Sequence, residues 1–252
     1  MSDARDPDRD SAPDDGPARP DRPADAEITA RLAAALRVPD PSARLQAALT
    51  AGTRPDPALV EGLVHRCRVE PDLNVREMLT WALLRHDREL TIPPLVAELT
   101  SPIPQARSQA LHTLSKIGDR RALPAITRPL LRDPDEHVAR TAWRTASGLL
   151  DADRDPAGAR FLLGELASQL GRGSAEMQHS LTRAFVAVGR ASLPVVERSR
   201  QAADARVRIH ALATVAMLRD PDLRFDDAID DARRRSFGAH LADPRGDRPS
   251  PR

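Results

Sequence analysis

The apolar positions of this chain recur in register. A polar turn bearing Asp or Pro leads into a small or β-branched residue, then in most copies an arginine, and a small apolar residue three positions after that. The motif reads Asp40-Pro41-Ser42-Ala43-Arg44-Leu45-Gln46-Ala47, then Asp72-Leu73-Asn74-Val75-Arg76, then Pro104-Gln105-Ala106-Arg107-Ser108-Gln109-Ala110, and again Asp204-Ala205-Arg206-Val207-Arg208-Ile209-His210-Ala211. Aligning the copies puts Arg44, Arg76, Arg107, Ala139, Gln178 and Arg208 in one column, at steps of 32, 31, 32, 39 and 30 residues. One position earlier stand Ala43, Val75, Ala106, Val138, Met177 and Val207; three later stand Ala47, Leu79, Ala110, Ala142, Leu181 and Ala211. Both columns are apolar, and their four-residue separation places them on one helical face. The period is that of one helical hairpin, which makes internal repetition the organising feature of the chain.

The other half of each period predicts a second apolar helix entered near a proline: Pro57-Ala58-Leu59-Val60, Pro93-Pro94-Leu95-Val96, Leu123-Pro124-Ala125-Ile126, Pro156 ahead of Phe161-Leu162-Leu163, and Leu193-Pro194-Val195-Val196. Proline is tolerated in a first helical turn, where its missing donor costs little. Each repeat therefore reads as helix A, a tight turn and helix B, with Asp, Ser and Asn in the turns supplying caps. Gly118 and Gly148 read as stops of helix B. No run alternates in the manner of a strand. The expected fold is all-α, an α-solenoid of about five to six hairpins, with the first helix A around Ile28 to Leu36 and copy five furthest from the pattern.

These residues resemble the short HEAT-like repeats first described in phycobilin lyases, in which a Pro-led apolar helix and an Asp turn precede a Val-Arg-x-x-Ala opening of the second helix. The match is best from about Pro57 to Gly148, as in Ile103-Pro104-Gln105-Ala106-Arg107-Ser108-Gln109-Ala110-Leu111. Copy five departs, with Gln178 in place of the arginine. The resemblance implies a helical repeat fold; such repeats serve as scaffolds, adaptors and in some cases enzymes, so it assigns no activity.

Composition fits this reading. The 252 residues carry 38 basic and 37 acidic side chains, so no global field draws the chain onto nucleic acid or membrane. Aromatic residues make up 2%, with no tyrosine, which suits thin layers of Ala, Leu and Val better than one large core. Lys116 is the one lysine, a bias of GC-rich, actinobacterial-type coding. Residues 1–25 hold eight Asp, four Arg and five Pro and are expected to be a disordered tail, as is 244–252. Between them the expectation is a solenoid over 26–223 and a capping helix over 224–243, with Phe225, Ile229, Ala232 and Phe237 hiding the flank of the last repeat. Cys67 is alone and reads as a small buried residue. With no apolar leader and no run near the roughly 20 apolar residues of a span, the expected location is the cytoplasm.

Motifs of catalysis are missing: no Gly-rich phosphate loop, no His-Glu-x-x-His helix, no Gly-x-Ser-x-Gly elbow. The seven histidines His65, His86, His112, His137, His179, His210 and His240 lack the spacing of a metal set, and no cofactor is implied. The repeated Arg44, Arg76, Arg107 and Arg208 read as a structural ladder, tied to turn aspartates such as Asp40, Asp72 and Asp204, in preference to an anion site.

Helix geometry offers a sharper candidate. If the columns one before and three after the ladder arginine face the core, those one and five after it face away, onto the inner concave surface. Copy by copy these are Leu45 and Leu49, Glu77 and Trp81, Ser108 and His112, Arg140 and Arg144, His179 and Arg183, Ile209 and Ala213. Trp143 lies one column earlier and is expected between layers. Trp and Arg are frequent binding anchors, and solenoids hold extended partners on such a face. The expected function is thus a non-enzymatic protein-interaction scaffold binding an acidic or extended segment through Glu77, Trp81, His112, Arg140, Arg144, His179 and Arg183. The alternative is a nucleic-acid cradle resembling the HEAT-like alkylpurine DNA glycosylases; the even charge and the missing catalytic motif weigh against it.

Overall fold

A computed structural model describes residues 23–220 and 222–241, with side chains placed over 26–220 and 222–236. The expected tails therefore fall outside the described residues, except that the first helix begins at Pro23. Thirteen α-helices follow in order: α1 (Pro23–Ala35), α2 (Pro41–Thr53), α3 (Val60–Val69), α4 (Leu73–Arg85), α5 (Arg88–Glu98), α6 (Pro104–Ile117), α7 (Arg128–Leu131), α8 (Glu136–Leu149), α9 (Pro156–Ala167), α10 (Ala175–Val188), α11 (Leu193–Ser199), α12 (Ala205–Arg219) and α13 (Phe225–Leu241). Among the described residues there is no strand. Helices α2, α4, α6, α8, α10 and α12 are the B helices carrying the arginine column, and they stack on one another in sequence.

The two apolar columns form the seam between the A and B layers. Val75, Ala106, Val138 and Met177 are buried, as are Ala47, Leu79, Ala110, Ala142, Leu181 and Ala211, whereas Ala43 and Val207 of the two end copies are half-buried because each lacks one neighbour. The turn aspartates act as caps: Asp40 accepts from the N–H groups of Ser42 and Ala43, Asp72 from Asn74 and Val75, Asp135 from His137 and Val138, and Asp204 from Arg206.

Proline and glycine punctuation is only partly as expected. Pro93 and Pro94 lie inside α5, which starts earlier at Arg88 under an Asp87 cap. Pro124 falls in a 3₁₀ turn over Arg120–Ala125, and with Pro129 it breaks the fourth A helix into that turn and the four-residue α7. Gly118 does end α6, at φ 71°, where a side chain would be strained. Gly148 does not end α8; the helix continues to Leu149 and leaves through an extended Leu150.

A second ladder, polar and buried, runs between B helices. The Gln109 amide donates to Thr80 Oγ1 at 2.8 Å, and the Thr80 and Thr113 hydroxyls meet at 3.3 Å. Thr145 Oγ1 donates to Leu111 O at 3.1 Å, and Thr182 meets Thr214 at 2.8 Å. Each joins the column four after the ladder arginine to the columns two or six after it in the next copy. Trp143 is fully buried between layers, as expected, with Nε1–H donating to Leu131 O at 2.8 Å.

The arginine ladder is structural, but its partners differ from the expected aspartates. Those aspartates direct their oxygens at helix N–H groups, so each arginine reaches back instead to the carbonyls five and six residues before it: Val38 and Pro39 for Arg44, Glu70 and Pro71 for Arg76, Ser101 for Arg107, Ala202 and Ala203 for Arg208. Two also clasp a carboxylate of the following turn with both nitrogens of the fork, Arg44 on Glu70 at 2.7 Å and Arg107 on Asp133 at 2.9 and 3.0 Å. Glu70 is fully buried and also takes Arg66 at 2.7 Å and the Asp72 N–H at 2.9 Å. Burial alone raises its carboxyl, yet these donors hold it at about 2. Burial pushes the Cys67 thiol up to about 12, in keeping with an inert core residue.

Helix α13 packs Phe225, Ala228, Ile229 and Ala232 against Ala213 and Met217, with Ile209, Leu212, Ala216 and Val186 around them. It was expected to shield the end flank of the last repeat; it also lies on the inner face, because Ile209 and Ala213 belong to the outward columns of α12. Phe237 lies among residues whose side chains are not described.

Removing Glu70 leaves the Arg44 guanidinium, 4% exposed, without its carboxylate. Glu70→Ala is expected to lower unfolding stability by about 3–5 kcal/mol. Arg76→Ala, which loses only carbonyl contacts at a half-buried site, is expected to cost about 1–2 kcal/mol. Urea denaturation followed by circular dichroism checks the order of the two.

Candidate functional site

The inner face is the side of the B helices turned away from the A helices, and the expected residues fall on it in three different conditions. Trp81 on α4 is half-buried, its indole lying against α2 where Gly52 leaves room: a Cβ on Gly52 would stand 2.2 Å from the ring. The aliphatic side chains Leu49 and Leu84 share this end of the face and are 36% and 39% exposed. Ser108 is buried in the helix stack and Ala213 beneath α13, so neither belongs to the open surface.

In the middle, Glu77 of α4, His112 of α6 and Arg144 of α8 form a chain across three repeats. The Glu77 carboxylate stands 3.5 Å from His112 Nε2, and the Arg144 guanidinium 3.3 Å from Nδ1. Burial pushes the His112 imidazole below its usual range; Glu77 opposes this, and the charges of Arg144 and Lys116 add to it. A neutral ring with Nδ1 free to accept from Arg144 satisfies that geometry. Arg140 does not stand free: it donates to Glu176 at 2.6 Å and to Ser180 Oγ at 3.1 Å.

Toward the C-terminal end, His179 is taken up by α13. Its ring stacks on Phe225 with centroids 4.9 Å apart and planes 16° apart. Burial and the neighbouring Arg183 charge lower its basicity, with Asp226 acting the other way. Arg183 itself is exposed. Among the described residues Arg144, Arg183, Lys116 and Arg85 make no ion pair; of the two carboxylates of the strip, Glu176 is paired with Arg140 and Glu77 stands beside the neutral His112. Lys116 and Arg85 were missed from the sequence; they stand nine positions after the ladder arginine, a column that a two-position reading of the face leaves out.

A groove of about 560 Å³ opens between α13 and the first turns of α10 and α12, over Ile209, Phe225 and Ile229. Its Arg233 is paired with Asp230 at 3.1 Å and its Arg206 reaches Gly173 O, so its charge is largely internal. Among the described residues no group of three or more His, Cys, Asp or Glu is placed to hold a metal ion, and no helix is long and apolar enough to cross a membrane.

The remaining described histidines divide into exposed His65 and His137 and two buried fasteners. His86 bonds Ala82 O through Nδ1 at 2.9 Å and accepts the Asp56 N–H at 3.3 Å. His210, fully buried, accepts the Gly171 N–H on Nδ1 at 3.0 Å, which places its proton on Nε2, facing Gln178 O at 3.0 Å. Burial lowers it to about 4, only partly offset by that carbonyl.

The protein family described as HEAT repeats matches residues 92–168. No curated protein matches the chain. Among solved structures, an engineered protein is 19% identical over 77% of this chain and 96% of its own, at a TM-score of 0.44. Human deoxyhypusine hydroxylase in complex with glycerol is 18% identical over 84% of this chain and 96% of its own, at 0.41. The complex of CpcE and CpcF of phycocyanin lyase from Nostoc sp. PCC7120 is 17% identical over 91% and 100%, at 0.32.

Because His210 is held neutral in the fold but titrates near 6.5 once unfolded, the unfolded chain binds the extra proton between those values. Its contribution is present above pH 6.5 and is lost as pH falls toward 4, up to about 3 kcal/mol, with smaller losses of the same sign from His112 and His179. Melting curves from pH 7.5 to 4.5 should show a falling Tm. His210→Gln should start lower and fall less; an unchanged slope would overturn the assignment of a neutral buried ring.

Proposed function

We propose that this chain, a HEAT-like repeat protein, is a protein-interaction scaffold that binds an acidic segment of a partner on the inner face of its B helices. The observation that carries the reading is the charge inventory of that face. Glu176 is paired with Arg140 and Glu77 faces only the neutral His112, whereas Arg144 and Arg183 stand exposed and without an ion pair among the described residues, so the free cations of the face outnumber its one free carboxylate. Guanidinium groups without a carboxylate partner, on the same face as a half-buried tryptophan two or more B helices away, are the chemistry of an anionic protein surface. Arg140 and His179 enter this reading differently from the rest: one supports the strip through Glu176 and Ser180, the other supports α13 through Phe225.

The nucleic-acid reading has less behind it. Base excision calls for a buried carboxylate of altered basicity beside the phosphate-binding strip. Glu77 is 57% exposed, and the buried acids Glu70, Asp133 and Glu165 lie away from the inner face, each neutralised by arginine. The formal net charge of +1 gives phosphates little to meet.

Affinity capture with wild type and with an Arg144→Glu, Arg183→Glu double variant tests the reading, with circular dichroism showing both equally helical. Loss of a specific protein from the variant is the expected result. An unchanged partner list would remove the inner face from consideration, and loss of nucleic acid alone would turn the assignment to the second reading.

A further inference from the structure

The inner face has a direction and a length, and both constrain what lies on it. Resting on the reading above, we propose that the bound segment is an extended polyproline-type strand of about ten residues, crossing the B helices from α4 to α10. It sets one apolar side chain at Leu49, Trp81 and Leu84 and a carboxylate at every third position after that.

The composition of the strip gives the order. At α2 and α4 it is apolar, with Leu49 and Leu84 more than a third exposed and Trp81 half-buried against Gly52. From α6 onward it is cationic, with Lys116 beside His112 on α6, Arg144 on α8 and Arg183 on α10. Beyond Arg183 it is closed, because Phe225 of α13 stacks on His179 and Ile209 and Ala213 lie in the α13 contact. The open strip therefore spans five helices, with one apolar station shared by α2 and α4 followed by three cationic ones on α6, α8 and α10.

Helix packing gives the spacing. Neighbouring helices pack about 8–10 Å apart. A polyproline II strand repeats its side-chain direction every third residue and rises about 3.1 Å per residue, so residues three apart face the same way about 9 Å apart. A β-strand would turn every third side chain to the opposite face. The strip is built of helices whose backbone groups are paired internally, so it offers no sheet edge for strand addition, and a conformation that keeps its own backbone solvated fits it without leaving donors unmet. Four stations separated by three residues each account for positions one, four, seven and ten.

The first probe is a fluorescein-labelled peptide, Leu-Pro-Ser-Glu-Pro-Ser-Glu-Pro-Ser-Glu, against an isomer of the same composition with its three Glu contiguous. Fluorescence anisotropy with the full chain is expected to show the spaced peptide binding at least about tenfold more tightly, a difference of about 1.4 kcal/mol. Arg144→Glu and Arg183→Glu should each weaken the spaced peptide by about tenfold and the isomer less, and replacing the leading Leu with Gly should weaken it without changing its salt dependence. Equal affinity for the two isomers would overturn the register while leaving an acidic partner on this face. Failure of both peptides to bind would overturn the strand itself, whereas the scaffold reading stands or falls by capture of a native partner.

Discussion

Each repeat in this chain is too thin to fold alone, and at two of the junctions what makes the next one follow in a fixed position is a guanidinium shielded where two B helices begin. Arg44 binds carbonyls of its own turn with one nitrogen and a carboxylate of the following turn with the other two; Arg107 does the same with Asp133. A hydrophobic seam resists separation but tolerates sliding, whereas a bidentate clasp fixes angle and distance together. In copy four, where the clasp is absent, a different one takes its place. Ala139 occupies the ladder column in copy four, and the buried Glu165 is reached instead by Arg128 and Arg132 at 2.9 and 2.7 Å. In copy five the Gln178 amide points to the Gly173 carbonyl, five residues earlier as in the arginine copies, and to that of Gly171, seven earlier.

The repeat, the two apolar columns, the caps and the place of Trp143 were legible in the sequence because each rests on spacing within a single helix. The clasps were not, because the acceptor of Arg44 is 26 residues away and the nearer aspartates are equally acidic. Only the competing demand of the helix N–H groups decides between them. The threonine ladder was open to the same column reading and was passed over: the column six after the ladder position holds Thr50, Thr113, Thr145 and Thr214, with Thr80 and Thr182 in the column four after, but which hydroxyls meet depends on partners 32 or 33 residues away. Gly148 shows the opposite error, a residue type read as a signal when the chain beside it could still satisfy helical hydrogen bonds.

The candidate face was legible in outline and wrong in occupancy. Side-chain direction in a helix follows from periodicity, so the columns that look away from the A layer could be named in advance, although Ser108 is buried in the helix stack and Ala213 beneath α13. What a column cannot reveal is whether a distant element has come to rest on it. Phe225 covers one face of the His179 ring, and Glu176 pairs with Arg140; both partners lie outside the repeat that presents the residue.

That loss sharpens the face more than it diminishes it. If α13 had lain only against the terminal flank, the inner strip would run from Leu45 to Ala213 with apolar ends and no preferred start. With α13 across α10 and α12, one apolar end is consumed internally and the other is exposed among the described residues, so the strip acquires polarity: an exposed hydrophobic station at α2 and α4, cations from α6 to α10, and a stop. A symmetric surface would hold a charged segment in either direction and in several registers. An asymmetric one distinguishes directions by where the apolar group falls, and specificity of that kind arises from the penalty on the wrong orientation as much as from contacts in the right one. The C-terminal helix thus acts on the proposed interface by defining where it ends.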